Sequence, residues 1–184
     1  LAMKKLYVVI PCYNEEEVLN ETAKRLEDKM NSMIEEDLIS PESRVVLVND
    51  GSKDKTWKII EELHKNNPLF SGINLSRNRG HQNALLAGLM TVKDHCDVSI
   101  SMDADLQDDI NAMDEMMKKY LAGCDIVYGV RSARTTDTFF KRFTAEAFYR
   151  VMEKLGANTV FNHADYRLMS RRALNGLAEF KEVN

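Results

Sequence analysis

Asp103, Asp105, Asp108 and Asp109 crowd into the stretch SISMDADLQDD, directly after an apolar run. Carboxylates that close repel one another, and one pKa rises unless a positive group sits among them. The usual partner is a divalent metal. Hard carboxylate oxygens suit Mg2+ or Mn2+, which keep waters and bridge to phosphates. Polar groups stand in the same relation to other apolar runs. Pro11-Cys12-Tyr13-Asn14-Glu15 follows the first, Asn49-Asp50-Gly51-Ser52 the second, Ser76-Arg77-Asn78 the third and Arg131 the fifth. Loops are polar anyway, which accounts for any one of these groups. It accounts less well for the set, above all for carboxylates at Asp50, Asp103 and Asp105 on what read as neighbouring strands.

The elements that must hold these residues are legible from period and punctuation. Leu6–Ile10 reads as a short buried strand stopped by Pro11. A helix is expected from Glu15 to about Glu36, and a second strand over Val45–Val48. Ser52 or Asp54 can cap the next helix, which carries Trp57, Ile60 and Leu63 at helical spacing. FSGINLSRN reads as a third strand, and GHQNALLAGLMTVKDH as a helix opened by Gly80. DVSISMDAD reads as a fourth strand, INAMDEMMKKYLAG as a helix ended by Gly123, and CDIVYGVRSAR as a fifth strand. Alternating strands and helices predict an α/β domain with a mostly parallel central sheet and helices on both faces. In such sheets ligands bind beyond the carboxyl ends of the strands, so the polar strand ends should converge on one crevice.

Several functions are excluded or demoted. A dinucleotide site needs a glycine-rich turn after the first strand, and PCYNE has none; a Walker A loop is absent too. Without a glycine-rich cradle, a diphosphate needs its charge neutralised by metal, which Asp103-x-Asp105 can hold. A phosphatase of the haloacid-dehalogenase type also places a DxD after a strand. That motif belongs on the first strand and continues to Thr or Val; here it follows the fourth and continues to Leu106-Gln107. The net charge of −4 argues against a nucleic-acid partner. Charge is uneven, with 15 Lys+Arg against 23 Asp+Glu over residues 1–130 and 10 against 6 over residues 131–184. The basic third suits a phosphate or a membrane surface, or is a solvated face. Three cysteines without CxxC spacing fit a reducing compartment. No apolar run approaches the ~20 residues that span a bilayer. The opening LAMKKLYVVIPCYNEEE turns polar too soon for a signal peptide. The ten methionines, Met113, Met116 and Met117 among them, read as core.

VVIPCYNEEE, VVLVNDGSKDKT, LSRNRGHQNALLAGL, MDADLQDD and ADYRLMSRRAL together resemble family 2 glycosyltransferases of the GT-A fold. The last two segments are similar to the polyprenyl-phosphate branch, which includes bactoprenol glucosyltransferases and dolichol-phosphate mannose synthases. The resemblance implies a GT-A, Rossmann-like catalytic domain over residues 1–184. It implies that Pro11, Tyr13 and Glu15 line the base and ribose of a UDP- or GDP-sugar, and that Asp50 hydrogen-bonds the base. Asp103 then faces the ribose and the metal region, while Asp105 and Gln107 bind Mg2+ or Mn2+ on the donor diphosphate. Arg131 and Arg134 meet the acceptor phosphate, with Arg131 leaving a strand next to the metal strand. Asp165 and Arg167 close the reaction centre, Asp165 as base or orienting group. His81 and His163 read as local packing or hydrogen-bonding residues. Relatives commonly carry prolines after DLQD, where this chain has Asp108-Asp109-Ile110, so the form of that turn is open.

The implied reaction is inverting transfer of a sugar to a polyprenyl phosphate of the undecaprenyl or dolichyl type. Members of the branch continue past the SRRAL helix into amphipathic and transmembrane segments. The chain is therefore expected to be a soluble catalytic domain of a longer protein, working at the cytoplasmic membrane face. Two alternatives stand beside this reading: a family 2 enzyme using a sugar hydroxyl in polysaccharide or lipopolysaccharide assembly, and a non-catalytic nucleotide-sugar binding module. The sugar, the base and the oligomeric state, a homo-oligomer included, are left open.

Overall fold

The computed structural model describes residues 2–131, 138–162 and 166–183. The order is β1 (Leu6–Cys12), α1 (Leu19–Glu35), β2 (Arg44–Asn49), α2 (Thr56–Asn66), β3 (Phe70–Asn74), α3 (His81–Val92), β4 (Val98–Ser101) and α4 (Ala112–Leu121). It continues with β5 (Ile126–Arg131), β6 (Thr138–Phe143), α5 (Ala145–Leu155), α6 (Ala157–Asn162), β7 (Arg167–Ser170) and α7 (Arg171–Val183). The strands form one sheet in the order β3-β2-β1-β4-β7-β5-β6.

Strands β3, β2, β1 and β4 are parallel neighbours. Strand β7 pairs antiparallel with β4 on one side and β5 on the other, and β6 pairs antiparallel with β5. Five strands therefore point one way and two point back. The sheet is mixed: four of the five strands legible as apolar runs form its parallel half, and the fifth, β5, has only antiparallel partners. Two expectations of adjacency are corrected. Strand β1 lies between β2 and β4, so Asp50 and Asp103 leave strands one apart. Strand β7 lies between β4 and β5, so Arg131 does not leave a strand next to β4, the strand of the DxD run.

The sheet separates two apolar layers. Leu6, Val8 and Ile10 of β1 pack with Leu26, Met30 and Met33 of α1, Ile60 of α2 and Met113, Met116 and Met117 of α4. Val9, facing the other way as strand alternation requires, joins Leu85 and Leu89 of α3, Phe148 and Met152 of α5 and Leu174 of α7. The methionines Met113, Met116 and Met117 are fully buried, as core residues should be. Fully burying one such side chain contributes about 1.5–3 kcal/mol. This two-faced core fixes the strand ends and leaves the loops beyond them free to carry chemistry.

Helix starts differ instructively from the sequence reading. Helix α1 begins at Leu19, four residues after Glu15. Asn14 adopts a left-handed φ of 52°, and the Glu15 N–H is taken by the Thr56 hydroxyl at 2.9 Å, so the first residues form turns. Asp54 rather than Ser52 serves α2, accepting from the Thr56 N–H at 2.9 Å, while the Ser52 hydroxyl accepts from the Asn14 N–H at 3.0 Å.

Candidate active site

At the carboxyl ends of β1, β2 and β4 lies a cleft of about 360 Å³ lined by Pro11, Tyr13, Glu15, Asp50, Asp103 and Asp105. Each was expected in the site from sequence. The first two loops are clamped together. The Lys53 N–H donates to the Asn14 side-chain oxygen at 2.9 Å, and the Lys55 N–H to Glu16 at 3.1 Å. Side chains of one loop thus satisfy backbone donors of the other, which would otherwise be left open beyond the sheet.

Asp50 forms one wall. It is 2% exposed, and its Oδ1 accepts the Arg79 backbone N–H at 2.6 Å. The Asn78 side-chain amide donates to the Asp50 carbonyl at 3.1 Å. No hydrogen bond from the described residues falls on Oδ2. The approach of the 78–79 backbone requires a glycine at 51. Gly51 has φ +67°, and a Cβ there would stand 2.3 Å from the Asn78 nitrogen. Asp50 is therefore a carboxylate held in one orientation at a cleft wall, suited to accepting a directed N–H.

Asp103, Asp105 and Glu15 form the acidic wall. Burial raises the Glu15 carboxyl above its usual range, and the charges of Asp105, Asp103 and Asp54 raise it further. The turn after β4 is built without proline. Leu106 takes a left-handed φ of 50° although it is buried, its N–H donates to the Asp103 carbonyl at 3.3 Å, and the Gln107 N–H donates to Asp105 Oδ1 at 3.3 Å. Thr22 of α1 anchors the turn through the Ala104 carbonyl at 2.6 Å, and the Tyr166 hydroxyl donates to the Asp109 carbonyl at 2.8 Å. A leucine held in this region costs on the order of 1–3 kcal/mol, which the surrounding contacts must offset.

Whether this wall suits a divalent cation is a matter of donor type and number. The donors are hard oxygens whose charges disfavour one another, a donor type that Mg2+ and Mn2+ accept through one or two carboxylates, completing their shell with waters and phosphates. Among the described residues no group of three His, Cys, Asp or Glu comes together as a cage.

Other expected residues fall elsewhere. Gln107 is exposed beside Asp105 but does not line the cleft. Arg167 is fully buried on β7, with its guanidinium 5.1 Å from the Tyr128 ring centre; the structure does not bring it to the cleft surface. Arg131 is the last residue of β5, opposite Thr138 of β6. Arg134, Asp165 and His163 lie outside the described residues. His81, read from sequence as a packing residue, lines the cleft with Asn78 and Gly80, its Nε2 3.3 Å from Asp103 Oδ1. The signal was present in RNRGHQN, but nothing local ties that loop to Asp103.

Residues 7–177 match the family model described as Glycosyl transferase family 2. An uncharacterized glycosyltransferase of Bacillus subtilis, YkoT, is 51% identical over 179 residues, covering 97% of this chain and 53% of that protein. A prophage bactoprenol glucosyl transferase homolog of Escherichia coli is 38% identical over 183 residues, covering 98% of this chain and 56% of its own length. The chain thus spans about half the length of these curated relatives. Among solved structures, the mannosyltransferase PcManGT from Pyrobaculum calidifontis, in complex with GDP-Man and Mn2+, superposes with a TM-score of 0.60. It is 19% identical, over 96% of this chain and 47% of that one. The family model spans nearly the whole sheet, from the second residue of β1 into α7, and the chain belongs to glycosyl transferase family 2.

Proposed function

We propose that this domain binds a UDP- or GDP-hexose and transfers the sugar, with inversion, to a polyprenyl phosphate. The observation that carries the reading is the single cleft in which a locked Asp50 faces the Glu15, Asp103 and Asp105 carboxylates. One wall can read a base N–H; the other needs a cation before it can accept a diphosphate. The similarity to a bactoprenol glucosyl transferase homolog supports a lipid-phosphate acceptor.

Asp50 accepts from the imide N–H of uracil or from N1–H and the amino group of guanine; adenine offers no such ring N–H, its N1 being an acceptor. Pro11, Tyr13 and Glu15 bound the base and ribose, and Asp103 faces the ribose. Asp105, with Asp103 and Gln107, would hold Mg2+ or Mn2+. Such an ion supplies charge neutralisation for the departing diphosphate. A phosphate monoester has its second pKa near ~6, so the acceptor is already anionic at pH 7 and needs docking more than deprotonation. Arg131 and Arg134 dock it, bidentate pairing being what guanidinium offers. Asp165 orients the acceptor. The domain works at the cytoplasmic membrane face as part of a longer protein.

Calorimetry of UDP, GDP and ADP with Mn2+, Mg2+ or EDTA tests the donor half. UDP or GDP is expected to bind, only with metal, and ADP to bind least. Equal affinities for all three nucleotides, or binding indifferent to EDTA, would contradict it.

A further inference from the structure

Strand β6, TFFKRF, closes one edge of the sheet. Phe139 is 60% exposed, the most open large apolar side chain of the described residues. Lys141 and Arg142 are also exposed, and neither pairs with a carboxylate among the described residues. By strand alternation Phe139 and Lys141 share one face, while Phe140 and Arg142 share the other. On that second face Lys119 of α4 stands 4.8 Å from the Phe140 ring centre. Cations therefore flank the edge on both sides.

Charged residues on an edge strand prevent sheet-to-sheet pairing, and Lys141 and Arg142 suffice for that. An exposed phenylalanine on the same strand, two residues before Lys141, works against that purpose. It fits a surface that takes an aromatic ring into an apolar layer and cations into an anionic layer above it. The place of Phe139 agrees. It pairs with Val130, one residue before the carboxyl end of β5, and β5 points the same way as β4. Phe139 thus lies at the cleft end of the sheet, three strands from β4, or about 14 Å at the usual strand spacing. The part of the sequence that contains β6 is also its basic part. Residues 1–130 carry an excess of acid and residues 131–184 an excess of base.

We infer that the β6 edge, through Phe139, Lys141 and Arg142, is the face by which this domain lies on an anionic lipid bilayer. A surface there sets the cleft at bilayer level, where the phosphate of a membrane lipid arrives with its chain still in the membrane. The inference takes its purpose from the proposed lipid-phosphate acceptor, but its test does not depend on turnover.

The chain is sedimented with vesicles of phosphatidylcholine alone and with vesicles containing phosphatidylglycerol. Binding is expected only to the anionic vesicles, declining with added salt. The double variant Lys141→Ala/Arg142→Ala should bind about 30-fold more weakly, from roughly 1 kcal/mol for each cation near the surface. Phe139→Trp should show a blue-shifted emission on anionic vesicles. Wild type, whose single tryptophan Trp57 lies on α2 beside β3 at the far end of the sheet, should show none. Equal sedimentation with both vesicle types overturns the inference, as does an undiminished double variant or an unmoved Phe139→Trp emission. A short-chain polyprenyl phosphate used in solution separates the two readings. Turnover without vesicle binding defeats the docking face and keeps the activity; vesicle binding without turnover keeps the face and defeats the activity.

Discussion

Replacing Gly51 with alanine tests whether the cleft is held by the close approach of the β2 loop to residues 77–79. Two costs combine. A non-glycine residue in the left-handed region loses about 1–2 kcal/mol. The added Cβ would also meet backbone, 2.3 Å from the Asn78 nitrogen and 2.6 Å from the Arg77 carbonyl carbon. Backbone cannot rotate aside as a side chain can, and forced overpacking costs about 1–3 kcal/mol. The expected loss is roughly 2–5 kcal/mol in urea unfolding. The displaced 77–79 loop carries the Arg79 N–H that donates to Asp50 at 2.6 Å. A hydrogen bond to a charged group contributes about 1.5–3 kcal/mol, so UDP or GDP affinity should fall about 10- to 150-fold if Asp50 loses its orientation. Gly123→Ala is the matched control. Gly123 also has positive φ, at +114°, but nothing lies within 4 Å of its Cβ position, and it precedes β5 at the opposite end of the sheet. It should lose about 1–2 kcal/mol and bind nucleotide normally. If Gly51→Ala unfolds at the same urea concentration as Gly123→Ala and binds nucleotide like wild type, the argument fails.

Three further outcomes follow from the site and the core. Glu15 has a folded-state pKa raised by burial and by Asp105 and Asp103, so its contribution to stability is full below the unfolded pKa and is lost as pH rises through the raised value. Metal-free Glu15→Gln should therefore be more stable than wild type at pH 7 and approach it in acid; urea curves at both pH values that shift equally would refute this. Asp50→Ala should reduce the preference for UDP or GDP over ADP, and an unchanged ratio by calorimetry would show that the base is read elsewhere. Burial pushes the Cys96 thiol up to about 12 and raises the buried Cys12 thiol as well, whereas Cys124 is half-buried. Iodoacetamide at pH 8 should modify Cys124 first, with Cys12 and Cys96 reacting only on unfolding, as peptide mass mapping would reveal.

The parts of this fold that were legible in the sequence are those with local signals. Each of the first five strands is an apolar run ending in a polar loop, and the carboxyl-end rule then gathers Pro11, Tyr13, Glu15, Asp50, Asp103 and Asp105 without any contact information. Strands β6 and β7 escaped that reading for different reasons. TFFKRF leaves all six of its side chains exposed or half-buried at a sheet edge, so its sequence carries no alternation of apolar and polar residues. RLMS is four residues long and runs straight into α7 with no turn residue between Ser170 and Arg171. Its insertion between β4 and β5 depends on pairing residues 98–101 with 167–170, a separation no local pattern reports. His81 was missed likewise, because its partner Asp103 arrives from another strand. The turn at 105–109 holds its shape through Leu106, Thr22 and Tyr166 in place of proline, and those contacts too are long-range.

The central claim is that the acceptor is a lipid phosphate and the donor a metal-held nucleotide sugar. The most direct measurement compares transfer from a UDP- or GDP-hexose to a short-chain polyprenyl phosphate and to the corresponding free alcohol, with Mn2+ and with EDTA, in wild type and Arg131→Ala. The account predicts product only from the phosphate and only with metal. It also predicts a loss for Arg131→Ala of about 10- to 150-fold, the equivalent of about 1.5–3 kcal/mol for a hydrogen bond to a charged group, with nucleotide affinity unchanged. Equal use of the free alcohol, or transfer that persists in EDTA, would contradict it.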